Sequence, residues 1–155
     1  MDACARFPAA PHRVRVLMDS AGELAIEATL REPEVSIRVG VADRPIDRSH
    51  PFLYYKTTRR QVYEEAQRAG FDDVLLYNES REITESCRAN VVIEIAGRKL
   101  TPPVRCGLLG GTFRAHLLDR GEIEEDVVQV EQLGAADRVW LINSVRKWID
   151  IDLVL

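Results

Sequence analysis

Apolar and polar residues alternate along three successive segments near the start of this chain. The first covers residues 13–18, and the second carries Leu24, Ile26, Ala28 and Leu30 at every other position. The third follows Pro33 and carries Val35, Ile37, Val39 and Val41 at every other position. Successive side chains of a strand point to opposite faces, so a period of two is typical of a half-buried strand. Because short turns join the segments, we predict an antiparallel meander.

The period changes after Lys56. Thr57 or Thr58 can cap a helix that we predict to run to Ala69 and to end at Gly70. The predicted inward positions of this helix are Val62, Tyr63, Ala66 and Ala69. Lys56 then lies where an extended segment meets a helix, a place from which a side chain can project into a cleft.

Short strands dominate the rest of the chain. They are predicted at residues 74–77, 82–85, 91–95, 98–101, 125–130, 138–142 and 148–155. Short helices are predicted at residues 113–118, closed by Gly121, and near 131–135. Residues 1–12 contain Pro8 and Pro11 and are expected to be a tail or linker. The predicted fold class is α+β and strand-rich, with one domain over residues 13–155.

Length and composition indicate an ordinary globular domain. The chain has 155 residues, of which 46% are hydrophobic and 30% charged, and its net charge is −4. A negative chain without a basic stripe argues against a nucleic-acid partner. No apolar run approaches the ~20 residues of a membrane span, and residues 1–6 lack the apolar core of a signal peptide. The three cysteines and three histidines show no metal-ligand spacing, so we expect a cytoplasmic protein without a metal site.

Four kinds of group that could hold a phosphorylated pyridine aldehyde follow one another along the chain. They are the amine of Lys56, the carboxylate of Glu85 with Asn90, the glycine turn at residues 107–111 before a helix, and the hydroxyl of Ser144. A partly neutral amine can bond to an aldehyde, and a carboxylate can keep a pyridine nitrogen protonated. Backbone amides at a helix start bind phosphate. The cofactor that fits this set is pyridoxal 5′-phosphate.

Each of these signals has an ordinary alternative when it is taken alone. Lys56 could be a solvated residue at a helix start, and Glu85 an exposed glutamate at a strand end. Glycine turns before helices are common, and residues 143–144 could form a plain turn. Their order and spacing along one chain favour the cofactor site.

From about Arg13 to its C-terminus the chain resembles the large domain of the class IV aminotransferases, the fold type IV enzymes of pyridoxal phosphate. The resemblance lies in three segments, Tyr55-Lys56-Thr57-Thr58-x-Arg60, Thr84-Glu85-x-x-x-x-Asn90 and Leu108-Leu109-x-Gly111-x-x-Arg114. It implies the strand-rich, D-amino acid aminotransferase-like architecture. Within the family, Lys56-Thr57-Thr58 and residues 142–146 are most similar to 4-amino-4-deoxychorismate lyases, especially those fused behind an aminodeoxychorismate synthase.

The resemblance implies a role for each matching residue. Lys56 would bond to the cofactor aldehyde and act in catalysis, and Glu85 would face the pyridine nitrogen. Asn90 could orient Glu85 or close the connecting loop by hydrogen bonding. The phosphate would be held by the glycine turn and the hydroxyl of Ser144, with Gly111, Thr112 and Phe113 at the turn. A substrate carboxylate would meet one of three arginines, Arg15, Arg60 or Arg146.

A lyase of this family would convert 4-amino-4-deoxychorismate to p-aminobenzoate and pyruvate, a step of folate synthesis. In that reaction the freed Lys56 would remove the proton from the amine-bearing ring carbon, while Glu85 and the cofactor ring stabilise the resulting charge. Two alternatives stay open. One is a branched-chain or D-amino acid aminotransferase on the same scaffold, and the other is a non-catalytic remnant that serves as an interaction domain.

Two departures from the family's pattern concern the site. The usual proline of the phosphate loop is Gly110 here, which loosens the turn. The family also carries a smaller N-terminal domain before the Arg15 strand, and residues 1–12 cannot replace it. We therefore expect either one domain of a longer protein or a short form with an incomplete site. The resemblance also implies a homodimer, with an aminodeoxychorismate synthase domain or the missing N-terminal domain as further candidate partners.

Overall fold

The computed structural model describes residues 10–30 and 36–155, which fall into two compact units, residues 1–35 and residues 36–155. Most of the tail predicted for residues 1–12 lies outside the described residues. The single domain predicted over residues 13–155 stays a prediction.

The first unit is a two-stranded antiparallel hairpin. Strand β1 (His12–Met18) pairs with β2 (Leu24–Leu30). The Oδ1 atom of Asp19 shapes the turn by accepting the N–H groups of Ala21 and Glu23, each at 2.9 Å. Large apolar side chains of this hairpin are 45–73% exposed, namely Val14, Val16, Met18, Leu24, Ile26 and Leu30. The first two predicted strands are confirmed, but the buried face that the alternation predicted for them is absent from these hairpin residues.

The third predicted strand forms, but its partners are not those of a meander. Strand β3 (Ile37–Val41) lies parallel to β4 (Asp73–Tyr77) and to β10 (Lys147–Leu153), in a different sheet from the hairpin. The antiparallel meander is therefore wrong at this strand. Period-two alternation indicates a strand, and it carries no information about which strand lies beside it.

The second unit is an eight-stranded sheet that closes on itself. The strand order is β5-β4-β3-β10-β9-β6-β7-β8, and β5 also pairs with β6. The remaining strands are β5 (Ile83–Ser86), β6 (Asn90–Ile95), β7 (Arg98–Thr101), β8 (Glu124–Glu125) and β9 (Arg138–Asn143). Strands β3, β4, β5, β6, β9 and β10 thus form a ring, and β7 and β8 extend the sheet beyond β6. The predicted strand-rich α+β class is confirmed, although the strand predicted at 125–130 is reduced to β8.

Two α-helices of the described residues pack on this sheet. Helix α1 (Gln61–Ala66) is shorter than the predicted helix from Thr57 or Thr58 to Ala69. The hydroxyl oxygen of Thr57 accepts the N–H of Arg59 at 3.2 Å, a local turn that competes with helix formation. Helix α2 (Thr112–Asp119) matches its prediction closely, and Gly121 closes it with a φ of +66°.

The core fills the ring and continues beneath α2. Consecutive residues of β6, Val91 to Ile93, are all fully buried, so both faces of this strand are covered. A second apolar cluster contains Val92, Leu117, Ile123, Trp140 and Ile142. This cluster fixes α2 against β6 and β9 and so sets where the start of α2 lies. Within the described ranges, no helix has the length and hydrophobicity needed to cross a membrane.

Candidate active site

Glu85 and Asn90 form the pair that closes the ring of strands. They are the register partners of β5 and β6, and their side chains are 4% and 6% exposed. The amide Nδ2 of Asn90 donates to Oε2 of Glu85 at 3.2 Å and to the carbonyl oxygen of Leu109 at 2.8 Å. Asn90 therefore both orients the carboxyl group and ties the glycine turn to the sheet.

Two further donors reach the other oxygen of Glu85. The hydroxyl of Tyr63, on α1, donates to Oε1 at 2.8 Å, and the backbone N–H of Leu109 donates to the same atom at 3.2 Å. The sequence predicted Tyr63 only as an inward residue of a helix. A buried tyrosine needs a partner for its hydroxyl, and that rule was the available signal for this contact.

Burial dominates the electrostatics of Glu85. Removal from water raises the pKa of its carboxyl group to about 8. The hydrogen bonds from Tyr63 and Leu109 and the nearby charges of Lys56 and Arg60 act in the opposite direction and lower the same pKa. At neutral pH the isolated chain therefore holds a proton on this carboxyl group.

Lys56 lies in the irregular segment before α1. Its side chain is exposed, and within the described part of the chain its ammonium group makes no hydrogen bond or ion pair. It is close enough to Glu85 for its charge to lower the pKa of that carboxyl group. The charge of the predicted amine therefore reaches the predicted acid, and the catalytic role of Lys56 stays a prediction.

The glycine turn passes directly over Asn90. A Cβ atom at Gly111 would lie 2.2 Å from Oδ1 of Asn90, far inside van der Waals contact, so a side chain is excluded there. At Gly110 the nearest atom to such a Cβ would be Cγ2 of Val104 at 3.6 Å, an ordinary contact. Of these two adjacent glycines, only Gly111 is required by space.

Two hydroxyl groups meet at the start of α2. Oγ1 of Thr112 lies 2.6 Å from Oγ of Ser144, which belongs to the turn between β9 and β10, and both residues are exposed. The N–H groups of Thr112, Phe113 and Arg114 precede the first hydrogen bond of the helix, which runs from Ala115 to the carbonyl of Gly111. Amides and hydroxyls at a helix N-terminus are a suitable anion site.

The three arginines proposed for a substrate carboxylate lie in different surroundings. Arg15, in the hairpin unit, pairs with Glu27 at 3.4 Å. Arg60 donates to the carbonyl of Cys87 and lies over the ring of Tyr63. Arg146 is exposed, and within residues 10–30 and 36–155 its contact is the hydrogen bond from its backbone N–H to Oδ1 of Asn143 at 2.8 Å. The substrate role of each arginine stays a prediction.

The donor set fits a phosphorylated pyridine. A buried acid that is tied by hydrogen bonds can face a ring nitrogen, and an exposed set of amides and hydroxyls can face a phosphate. The two sets are connected through the short turn from Leu109 to Thr112, which contacts Glu85 at one end and Ser144 at the other. The two donor sets are therefore neighbours along one short turn.

Known proteins resemble this chain over most of its length. The model of the family described as amino-transferase class IV matches residues 8–154. A protein of Schizosaccharomyces pombe (strain 972 / ATCC 24843) named "Putative aminodeoxychorismate lyase" is 32% identical over 148 residues. That match covers 87% of this chain and 64% of the yeast protein, so the chain spans less than two thirds of its relative's length.

Solved structures share the fold. A "Putative amino-acid aminotransferase" from Mesorhizobium loti is 34% identical, with a TM-score of 0.84 over 92% of this chain and 73% of that one. A "Putative 4-amino-4-deoxychorismate lyase" from Legionella pneumophila subsp. pneumophila str. Philadelphia 1 is 24% identical, with a TM-score of 0.77 over 84% of this chain and 52% of that one. The second likeness concerns the fold alone.

Proposed function

The chain belongs to the class IV aminotransferase family, and on that premise we propose that it is a pyridoxal 5′-phosphate-dependent lyase. The reaction would convert 4-amino-4-deoxychorismate to p-aminobenzoate and pyruvate. The observation that carries this proposal is the buried carboxyl group of Glu85, held by Tyr63, Asn90 and Leu109 beside the amide-lined start of α2. The yeast relative's name supports the choice of a lyase.

The proposed cofactor site uses the two donor sets. Glu85 would face the pyridine nitrogen, and Asn90 would keep the carboxyl group in position. The amides of Thr112 and Phe113 and the hydroxyl of Ser144 would hold the phosphate, with Gly111 allowing the turn to approach. The cofactor, when bound, withdraws electrons from the carbon that loses a proton.

Glu85 has a proton to give. Because burial raises its pKa to about 8, the carboxyl group is mostly protonated at neutral pH in the isolated chain. Against a pyridine nitrogen, Glu85 would give this proton to that nitrogen and become a carboxylate. The opposite charges would then stabilise each other in a site that excludes water.

Lys56 would be the base. Its amine would hold the cofactor at the aldehyde in the absence of substrate. The free amine would then accept the proton from the amine-bearing ring carbon. Loss of this proton and of the enolpyruvyl group makes the ring aromatic, and the departing enolpyruvate takes up a proton at its CH2 carbon to become pyruvate.

The substrate's carboxylates call for a cation. Arg146 is exposed in the turn next to Ser144 and has a free side chain within the described residues, so we favour it. Arg60 has partners inside the protein, and Arg15 belongs to the other unit. A homodimer, an aminodeoxychorismate synthase domain or N-terminal domain as partner, and a cytoplasmic location remain part of the proposal.

An aminotransferase is the second candidate. The Mesorhizobium loti structure, 34% identical, is described as an amino-acid aminotransferase. Its reaction would need the same Lys56 and Glu85 but would yield a new keto acid rather than p-aminobenzoate. A branched-chain or D-amino acid would be the substrate.

Absorbance and product analysis test these proposals. Added pyridoxal phosphate should give a band in the near-ultraviolet to visible range that is lost in Lys56→Ala and kept in Lys99→Ala, an exposed lysine on β7. Formation of p-aminobenzoate and pyruvate from aminodeoxychorismate supports the lyase, and keto-acid exchange with an amino acid supports the aminotransferase. A folded chain that gives no band favours a non-catalytic interaction domain and would sink both enzyme proposals.

A further inference from the structure

Of the three groups that donate to Glu85, the hydroxyl of Tyr63 is the one that comes from a helix. Tyr63 belongs to helix α1, whereas Asn90 is on the neighbouring strand and Leu109 is in the glycine turn. Its hydroxyl makes the shortest of the three hydrogen bonds to the carboxyl group, 2.8 Å against 3.2 Å for the other two. Its ring is 8% exposed, so the bond is shielded from water.

We propose that Tyr63 is a positioning residue for Glu85: its hydroxyl fixes the carboxyl group toward the cofactor and favours the ionised form over the protonated one, and Arg60 supports Tyr63 in this role. The inference rests on the proposed function, because Glu85 is the group that would face the pyridine nitrogen.

Arg60 is placed to strengthen the phenol as a donor. Its guanidinium carbon lies 4.5 Å from the centroid of the Tyr63 ring, and Nη2 donates to the carbonyl oxygen of Cys87. A cation over the ring face draws electron density from the phenol and makes its O–H a better hydrogen-bond donor. This arrangement gives Arg60 a function inside the protein, distinct from contact with a substrate carboxylate.

Cys87 fixes both residues to the strand that carries Glu85. Its carbonyl oxygen accepts from Arg60, and its thiol donates to the carbonyl of Tyr63 at 3.3 Å. Burial raises the pKa of this thiol to about 12, so it stays a neutral donor. Since Cys87 lies two residues after Glu85, helix α1 and the acid are held in one local unit.

The groups around Glu85 change its pKa in the direction that this role requires. Tyr63, Lys56 and Arg60 each lower the pKa of the carboxyl group, as does the amide of Leu109, and burial is the opposing influence. Among the side chains, Tyr63 is the largest of these influences. Its removal should therefore leave the acid harder to ionise.

Titration of Glu85 in the chain without cofactor tests the inference. Carbon-13 NMR of glutamate labelled at the carboxyl carbon gives the ionisation midpoint, and Glu85→Gln identifies the signal. In Tyr63→Phe the midpoint should rise by about one pH unit, a tenfold change in the acid dissociation constant. Tyr54→Phe is the matched control, because the Tyr54 hydroxyl donates at 2.6 Å to the carbonyl of Arg48 instead. Arg60→Gln should raise the midpoint by less than Tyr63→Phe.

A second arm uses the cofactor. With pyridoxal phosphate bound, the pH at which the absorbance band changes should move in Tyr63→Phe and stay in place in Tyr54→Phe. A Glu85 midpoint unchanged in Tyr63→Phe overturns the inference, as does one that rises equally in both tyrosine variants. If Tyr63→Phe does not fold, an unchanged midpoint in Arg60→Gln overturns it. A missing band in the parent chain overturns the proposed function, while the cofactor-free titration still decides the role of Tyr63.

Discussion

Glu85 is a buried acid that the fold surrounds with donors rather than with a partner charge in direct contact. Its two oxygens accept three hydrogen bonds, and burial still keeps its pKa near 8. Such a group responds strongly to any cation placed against it. This property would suit an acid that waits for a pyridine nitrogen.

The pH dependence of stability follows from that pKa. The ordinary value is 4.5, so between pH 4.5 and about 8 the folded chain keeps a proton that the unfolded chain has released. The free energy of unfolding should therefore fall as the pH rises through this window, by up to about 1.4 kcal/mol per pH unit from this group.

Glu85→Gln should reduce this slope, as urea unfolding at pH 5, 6.5 and 8 without cofactor would show. Part of the slope should remain, because burial also raises the pKa of Asp73. Glu64→Gln, an exposed change on α1, should keep the full slope. Equal slopes in the parent and Glu85→Gln would contradict the elevated pKa.

Two adjacent glycines give opposite predictions. Gly111→Ala would drive a methyl group into Oδ1 of Asn90 and should destabilise the fold by about 1–3 kcal/mol. Cofactor affinity should weaken at least about tenfold, because Asn90 would lose its hold on Glu85. Gly110→Ala meets only Val104 at 3.6 Å and should leave affinity unchanged. Thermal unfolding and cofactor titration of both variants provide the check, and similar behaviour of the two would refute the steric argument.

The sequence identified the individual candidate site residues, but it did not predict all of the contacts between them. The spacing of Glu85 and Asn90 matched a family motif, and the structure places them side by side across the sheet closure. The bond from Tyr63 could not be foreseen in the same way, because it depends on how α1 packs on β5. A short-range pattern contains no information about that packing.

Helix α2 and the β9–β10 turn each contribute a hydroxyl group to the candidate phosphate site. The turn brings Ser144 to within 2.6 Å of Thr112, so a hydroxyl that lies 32 residues away in the chain joins the helix N-terminus. The length of α2 was predicted well, because Gly121 ends it and the glycine turn precedes it. The length of α1 was not, since Thr57 bonds to the nearby N–H of Arg59 rather than capping a helix.

Ser144→Ala should weaken binding of pyridoxal phosphate by about tenfold, the loss expected for one hydrogen bond to a charged group. Binding of pyridoxal, which lacks the phosphate, should be unchanged. Competition titrations of the two compounds distinguish these effects. Ser80→Ala, in the turn between β4 and β5, serves as the control, and equal losses for both compounds would show that Ser144 does not meet the phosphate.

The whole second unit depends on the ring of six strands. Strands that pair in this ring can be distant in sequence, as β3 and β10 are. Periodicity could therefore predict the strands but not their order in the sheet. The sequence-based fold was wrong mainly at β3, which was predicted to join an antiparallel meander but pairs in parallel with β4 and β10. Consecutive buried residues in β4 and β6 were the local sign of strands covered on both faces.

Substitutions in the ring and in the hairpin should differ in their effect on the free energy of unfolding. Leu141→Ala, on β9 and 1% exposed, should lower the free energy of unfolding by about 2–5 kcal/mol. Leu24→Ala, in the hairpin and 65% exposed, should change it by no more than about 0.5 kcal/mol. Fluorescence of Trp140 and Trp148 during urea unfolding follows the second unit, and a large loss in Leu24→Ala would contradict the exposure described here.

The pair Glu85 and Asn90 belongs both to the proposed site and to the strand pairing that closes the ring. Glu85 is one of the two register partners through which β5 and β6 close the ring. Selection for new reactivity at position 85 would also act on closure of the ring. Refolding yield should therefore decline together with turnover in a library of variants at this position.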